Sequence, residues 1–239
     1  MGVYHITYAP GPREVYLYFD AECNLSCWGC IAKFHPIDCH LMGEEPPALG
    51  SLSPEEVLSF LKPYSFKRIF FMGSEPTVDP FFVPLAFRLK EEFFSYNILL
   101  TNGYKLVRTE ALDEICVSIK AVTEGLFREF TGASDSRRVL SNFRRYYEDA
   151  RVKLRAESIL IPGYIDWQEI EKIASFIGGV DTKIPYRIDA YYPFLKNDRF
   201  RRPTIEEMKR AKGVAEQFLD DVSILHHGID LKYEVRRIY

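Results

Sequence analysis

The sequence predicts an α/β fold: a partial (β/α)6 barrel, TIM-like, whose parallel sheet stays open on one side. Three observations lead there. Short runs rich in Val, Ile, Phe and Tyr alternate with amphipathic stretches along most of the chain, which is the pattern of βα units. About six such units fit in 239 residues, too few to close an eight-unit ring. A hydrophobic content of 47%, with 15% aromatic residues, supplies a large core. Residues 1–239 read as a single domain, with a core over about 14–192 and a C-terminal extension over 193–239.

Residues 14–20 (EVYLYFD) read as the first strand and run directly into Cys23, Cys27 and Cys30. The stretch 31–52 is irregular, broken by Pro36, Gly43, Pro46, Pro47 and Gly50. Ser53-Pro54-Glu55-Glu56 opens a helix, with Ser as N-cap, Pro at the first position and acids in the first turn. Residues 67–72 form a buried strand ending at Gly73, and 80–93 a helix with Pro84 near its start. A strand over 96–100 ends at Thr101-Asn102-Gly103, and a fourth follows at 114–119. Residues 135–149 make a basic amphipathic helix. The strand 152–161 is stopped by Pro162-Gly163, and the helix 166–177 is capped by Gly178. A sixth strand (184–191) and a helix (204–219) follow, and the tail has room for one more strand. In parallel α/β folds, ligands bind at the C-terminal strand ends. Every unusual short motif falls there: the cysteines, Gly73-Ser74-Glu75-Pro76, Thr101-Asn102-Gly103, Ser118 with Lys120, and Tyr191 with Tyr192.

The net charge is 31 − 34 = −3, which gives no global field toward nucleic acid or anionic lipid. Basic runs at Arg137-Arg138, Arg144-Arg145 and Arg199, Arg201, Arg202 read as solvated faces. The N-terminus lacks a charged start followed by an apolar run, and Ile6 breaks the myristoylation pattern after Gly2. No run is long enough to span a bilayer. The expected location is the cytoplasm, where close-set cysteines signal metal or redox chemistry rather than disulfides.

Three thiols in eight positions are one short of a closed tetrahedral site. A zinc ion would need a fourth ligand, for which His35, Cys39 and His40 are candidates, or would keep one position open. A [4Fe–4S] cluster on three thiolates leaves one iron free for a small chelating molecule. Cys116 reads as a small core residue and Cys39 as a loop thiol, too few for a second cluster.

C-x3-C-x2-C after the first strand resembles the signature of the radical S-adenosylmethionine superfamily. In the same order, MGSEP (72–76) resembles its Gly-Gly-Glu-Pro segment and LLTNG (99–103) the close of its third strand. VSIK (117–120) and ESILIPGYID (157–166) resemble segments of one subgroup, the activating enzymes of glycyl radical enzymes, such as the pyruvate formate-lyase activating enzyme. The likeness covers about residues 14–192. It implies an oxidoreductase of the EC 1.97 type whose [4Fe–4S] cluster sits on Cys23, Cys27 and Cys30 and binds S-adenosylmethionine. Reductive cleavage would give a 5′-deoxyadenosyl radical that takes hydrogen from a protein substrate, with a flavodoxin- or ferredoxin-type electron donor.

The resemblance assigns further residues to S-adenosylmethionine: Trp28, Gly29 and Ile31 beside the last cysteine, Gly73, Ser74, Glu75 and Pro76 at the methionine moiety, and Thr101, Asn102 and Ser118 nearby. Glu75 would be the counter-charge to the ammonium group, and Lys120 would meet the carboxylate. Glu157 would accept from the ribose hydroxyls, or pair with Arg155 on the same strand face, and Tyr192 would stand beside the adenosine. The chain departs from the family at Gly29, where an aromatic residue is usual, and at Leu100 and Ser118, where the subgroup has acids that help hold a monovalent cation. Glu157 stands where the pyruvate formate-lyase activator has an arginine. Two other readings stay open: the same chemistry on a small molecule or nucleotide, as in carboxydeazaguanine synthase, and a non-catalytic metal-binding module.

Overall fold

A computed structural model describes residues 1–31, 49–193, 199–226, 228–229 and 233–239. The elements in chain order are β1 (Val3–Ala9), β2 (Glu14–Phe19), α1 (Pro54–Leu61), β3 (Arg68–Gly73), α2 (Phe82–Phe93), β4 (Tyr96–Thr101), β5 (Glu114–Ser118), α3 (Glu124–Thr131), α4 (Ser136–Glu148), β6 (Lys153–Leu160), α5 (Trp167–Gly178), β7 (Tyr186–Ala190), α6 (Ile205–Ala215), β8 (Val222–Leu225) and β9 (Arg236–Arg237). The strands form one sheet in the order β8-β7-β6-β5-β4-β3-β2-β1-β9. From β2 to β8 neighbouring strands are parallel and follow chain order, as successive crossover units require. β1 and β9 add antiparallel pairs at one edge.

The parallel run holds seven strands, one more than the six units the sequence suggested. The extra strand, β8, is the strand for which the tail had room. β1 and α3 were not anticipated. β1 is half polar (VYHITYA), although five of its seven residues are buried. α3 has two turns, and Phe127 and Phe130 are its only large buried side chains, too few to show a period. Among the sequence-predicted helices, α1 and α6 carry the full reciprocal cap: Ser53 Oγ accepts from Glu56 N–H and Ser53 N–H donates to Glu56, and Thr204 and Glu207 repeat the exchange.

Side chains alternate between the two faces of the strands, and the two faces differ in polarity. One face presents Leu17, Phe19, Ile69, Phe71, Leu99, Ile115, Val117 and Ile188, all fully buried. The other presents Tyr16, Glu114, Cys116, Arg155, Glu157, Arg187 and Asp189, mostly half-buried. A parallel sheet covered by helices on both faces would be apolar on both. A polar second face is that of a sheet curved around an interior.

Candidate active site at the strand ends

The cysteine loop leaves β2 at Phe19, which is in register with Gly73 at the end of β3. Gly73 has φ +114°, and a Cβ there would lie 2.6 Å from the Phe19 nitrogen and 2.7 Å from its oxygen. The two backbones approach too closely for any side chain. Ser74 N–H donates to the Phe19 carbonyl at 3.2 Å and ties the strand ends together. Further along, Ser26 and Trp28 N–H donate to the carbonyls of Thr131 and Phe130 at 2.8 and 3.2 Å. These acceptors belong to the last turn of α3, whose carbonyls lack helical partners. The unanticipated helix is thus the anchor of the cysteine loop.

Cys27 is buried, Cys23 and Cys30 are half-buried, and none of the three is in a disulfide. Burial pushes the Cys23 thiol up to about 11, so taking up a metal there means losing a proton at neutral pH. Asn102 Nδ2 lies 3.5 Å from Cys23 Sγ and donates to Asn24 Oδ1 at 2.8 Å. Asn102 is held in turn by Glu75, whose Oε2 accepts from its N–H at 2.8 Å. Glu75 Oε1 accepts from Thr101 Oγ1 and Thr77 Oγ1, both at 2.7 Å, and from Thr77 N–H at 3.3 Å. Burial raises this carboxyl, and the four hydrogen bonds oppose the rise. Glu75 is 1% exposed and therefore acts as a strut between the ends of β3 and β4.

Lys120 Nζ donates to Ser118 Oγ at 2.7 Å. Glu157 does not pair with Arg155. Arg155 instead reaches Glu114 at 2.9 Å, because it lies nearer the lower end of the sheet. Glu157 Oε2 accepts from Arg187 Nη2 at 2.8 Å, and the same guanidinium holds Asp189 through Nε and Nη2 at 2.7 and 2.9 Å. Burial and the nearby Glu157 carboxylate raise Asp189 above the usual carboxylate range, against the pull of Arg187. Cys116 Sγ sits 3.5 Å from Glu157 Oε2, so this core thiol faces the polar interior. Sequence reasoning missed Arg187 and Asp189. Their signal was the polar alternation inside YRIDA, at two-residue spacing on the face that Glu157 shares.

Trp28 packs in an aromatic cluster with Phe130, Tyr164, Tyr191 and Phe200, at centroid distances of 5.9, 6.1, 6.4 and 5.1 Å. A Cβ on Gly29 would lie 3.2 Å from the Tyr191 ring and 3.4 Å from Phe130. Two rings from other elements therefore crowd the position where the family has an aromatic residue. Tyr192 is exposed, with the Arg202 guanidinium 4.3 Å from its ring centre. Ile31 is exposed and Pro76 is buried in the turn after Glu75. His35, Cys39 and His40 lie outside the described residues.

Among the described residues, no three His, Cys, Asp or Glu side chains converge as the ligands of a single metal ion. The donor set is three thiols on one short loop, and Cys116, the other described cysteine, is engaged with Glu157. Such a set fits a polynuclear cluster held at three corners.

The chain matches the Radical SAM superfamily over residues 19–177. It is 30% identical, over 210 residues, to a candidate glycyl-radical enzyme activating enzyme of Methanocaldococcus jannaschii, covering 84% of this chain and 76% of that one. A candidate GTP 3′,8-cyclase of Sulfurisphaera tokodaii is 24% identical over 163 residues, 64% of this chain and 48% of its own. Among solved structures, Streptococcus suis SuiB bound to its precursor peptide SuiA shares the fold, with a TM-score of 0.67 at 15% identity over 90% of this chain and 49% of SuiB. The chain spans about half the length of the cyclase and of SuiB. It belongs to the Radical SAM superfamily. It is a radical S-adenosylmethionine enzyme, and its cofactors are a [4Fe–4S] cluster and S-adenosylmethionine.

Proposed function

We propose that this enzyme activates a protein substrate by hydrogen abstraction, in the manner of the glycyl radical enzyme activating enzymes, as an oxidoreductase of the EC 1.97 type. The observation that carries the reading is the three-thiol loop beside a polar interior, supported by the 30% identity to the M. jannaschii relative across 84% of the chain. Together the bound cofactors supply an electron and a 5′-deoxyadenosyl radical. The protein's part is to hold, orient and shield them. Cys23, Cys27 and Cys30 hold the cluster. Glu75, saturated by Thr77, Thr101 and Asn102, positions Asn102 against Cys23. Lys120 meets the S-adenosylmethionine carboxylate, and Glu157, oriented by Arg187, accepts from the ribose. A reduced flavodoxin- or ferredoxin-type protein is the electron donor. Cysteines outside any disulfide suit the cytoplasm.

The test is anaerobic reconstitution, followed by S-adenosylmethionine and dithionite. Methionine and 5′-deoxyadenosine appear with the wild type, and Cys27→Ala abolishes both. A wild type with an intact cluster that makes neither would sink the reading. A nucleotide substrate is the second reading, favoured by the 24% identity to a GTP 3′,8-cyclase. Deuterium transfer separates the two: label enters deoxyadenosine from a deuterated protein or from a deuterated nucleotide, but not from both.

A further inference from the structure

We propose that α4 and the loop 103–110 form the docking surface for the electron donor, and that this donor is a small acidic one-electron carrier protein. The inference rests on the reading above, in which the cysteine loop holds an electron-accepting cluster. One electron leaves the reduced carrier and one reaches the cluster, with no bond made or broken.

The loop and the helix are one built unit. Asn142 Nδ2 donates to the carbonyls of Gly103 and Tyr104 at 2.9 and 3.3 Å. One turn further along, the Tyr146 hydroxyl accepts from Val107 N–H at 3.2 Å and lies 3.3 Å from the Lys105 carbonyl. Around this seam stand Lys105, Arg108, Arg138, Arg145 and Arg151, all exposed. The acids among them are Glu110, 3.4 Å from Arg108, Asp149, which pairs with Arg151 at 2.8 Å, and the exposed Glu148 at the end of α4. The face therefore carries 5 − 3 = +2 on a chain whose net charge is −3. Arg137 is offset by Asp135 at 3.6 Å, and Arg144 lies over Phe176 on α5, away from the seam.

One end of this patch reaches toward the thiols. The Arg138 guanidinium lies 4.8 Å from the centre of the Tyr104 ring. Tyr104 N–H donates to Asn102 Oδ1 at 2.9 Å, and Asn102 Nδ2 is 3.5 Å from Cys23 Sγ. Three contacts thus join the basic face to a cluster ligand. Arg138 and Arg145 are seven residues apart, about 10 Å along the helix. The patch is therefore compact along the helix. A positive patch steers an acidic partner and sets its orientation.

The test measures binding of an acidic flavodoxin to the reconstituted enzyme at low and high salt. The wild type binds, and its Kd rises with ionic strength. Arg145→Glu and Arg138→Glu each weaken binding about tenfold at low salt and less at high salt. Lys209→Glu on α6 makes the same change in net charge and leaves Kd within about twofold. Dithionite-driven cleavage of S-adenosylmethionine stays at the wild-type level in all three variants, whereas flavodoxin-driven cleavage falls in the two arginine variants. Equal weakening by Lys209→Glu, or none by the arginine variants, overturns the proposal. So does an oligonucleotide that binds as tightly and with the same dependence on the two arginines. Failure of dithionite-driven cleavage in the wild type would instead overturn the reading of the cysteine loop.

Discussion

A methyl group at position 73 would meet the Phe19 nitrogen and oxygen at 2.6 and 2.7 Å, in a backbone conformation that L-residues avoid. Relief would require the cysteine loop to part from β3. Gly73→Ala should therefore cost about 3 kcal/mol of stability and lower cluster occupancy, read by thermal denaturation and by iron per chain after reconstitution. An unchanged melting temperature would contradict the close approach. Glu75 poses the complementary case. Its two oxygens accept four hydrogen bonds with no solvent contact. Glu75→Gln keeps the shape but turns an amide toward N–H and O–H donors. The expected loss is about 2 kcal/mol, again read by thermal denaturation. Both positions stood out in the sequence as a strand-end motif, but the contacts each makes within the protein did not. What was not legible was the partner of each charge. Position alone cannot say that Glu157 reaches across to Arg187 while Arg155 reaches Glu114, because such pairs depend on which strands become neighbours.

β7 carries a strand-level consequence of that pairing. Arg187 bonds both Glu157 and Asp189. Arg187→Met would leave two carboxylates facing each other in a half-buried interior. Without the Arg187 guanidinium, the already raised folded-state pKa of Asp189 would rise further above its unfolded value. A raised carboxyl binds its proton more tightly in the folded state, so stability falls as pH rises through that window and returns on acidification. The variant should lose about 3 kcal/mol near pH 8 and distinctly less near pH 5, as followed by denaturant unfolding at both values. A loss independent of pH would assign the effect to packing instead. Strands such as β3 were legible from their apolar runs and bounding turns. Helix α3 was not, since two buried phenylalanines in eight residues carry no period. Its role is set by the Phe130 and Thr131 carbonyls, which no side-chain pattern reports.

At the scale of the molecule, the parallel order could be read from alternating strand and helix signals, but the edges could not. β1 and β9 are joined by pairings between the two ends of the chain, which local pattern does not encode. Those pairings also constrain the sheet's shape. Nine strands at about 4.8 Å spacing span about 38 Å if flat. β8 ends at Leu225 on one edge, beside the upper end of β7, and β9 begins at Arg236 on the other edge, opposite Tyr8 near the lower end of β1 and β2. The chain has eleven steps between them (236 − 225), about 40 Å at most when fully stretched. A flat sheet would need almost all of that length for its width and would leave nothing for the descent, so the sheet must curl, and the polar face is the one it encloses. The tail is thus both a measure of the curvature and a support for it. Ile6 N–H donates to the Tyr239 carbonyl and Ile238 N–H to the Ile6 carbonyl, each at 2.9 Å, and the Tyr239 ring packs edge-on against Phe60 at 5.6 Å. Deleting residues 233–239 would strip these bonds from β1 and leave it as an open edge, which other chains can pair with. The expected result is a loss of about 2–3 kcal/mol, near 1 per hydrogen bond, with concentration-dependent self-association in gel filtration. A truncated chain that melts like the full one and stays monomeric at all concentrations would show that β9 neither protects β1 nor holds the curve.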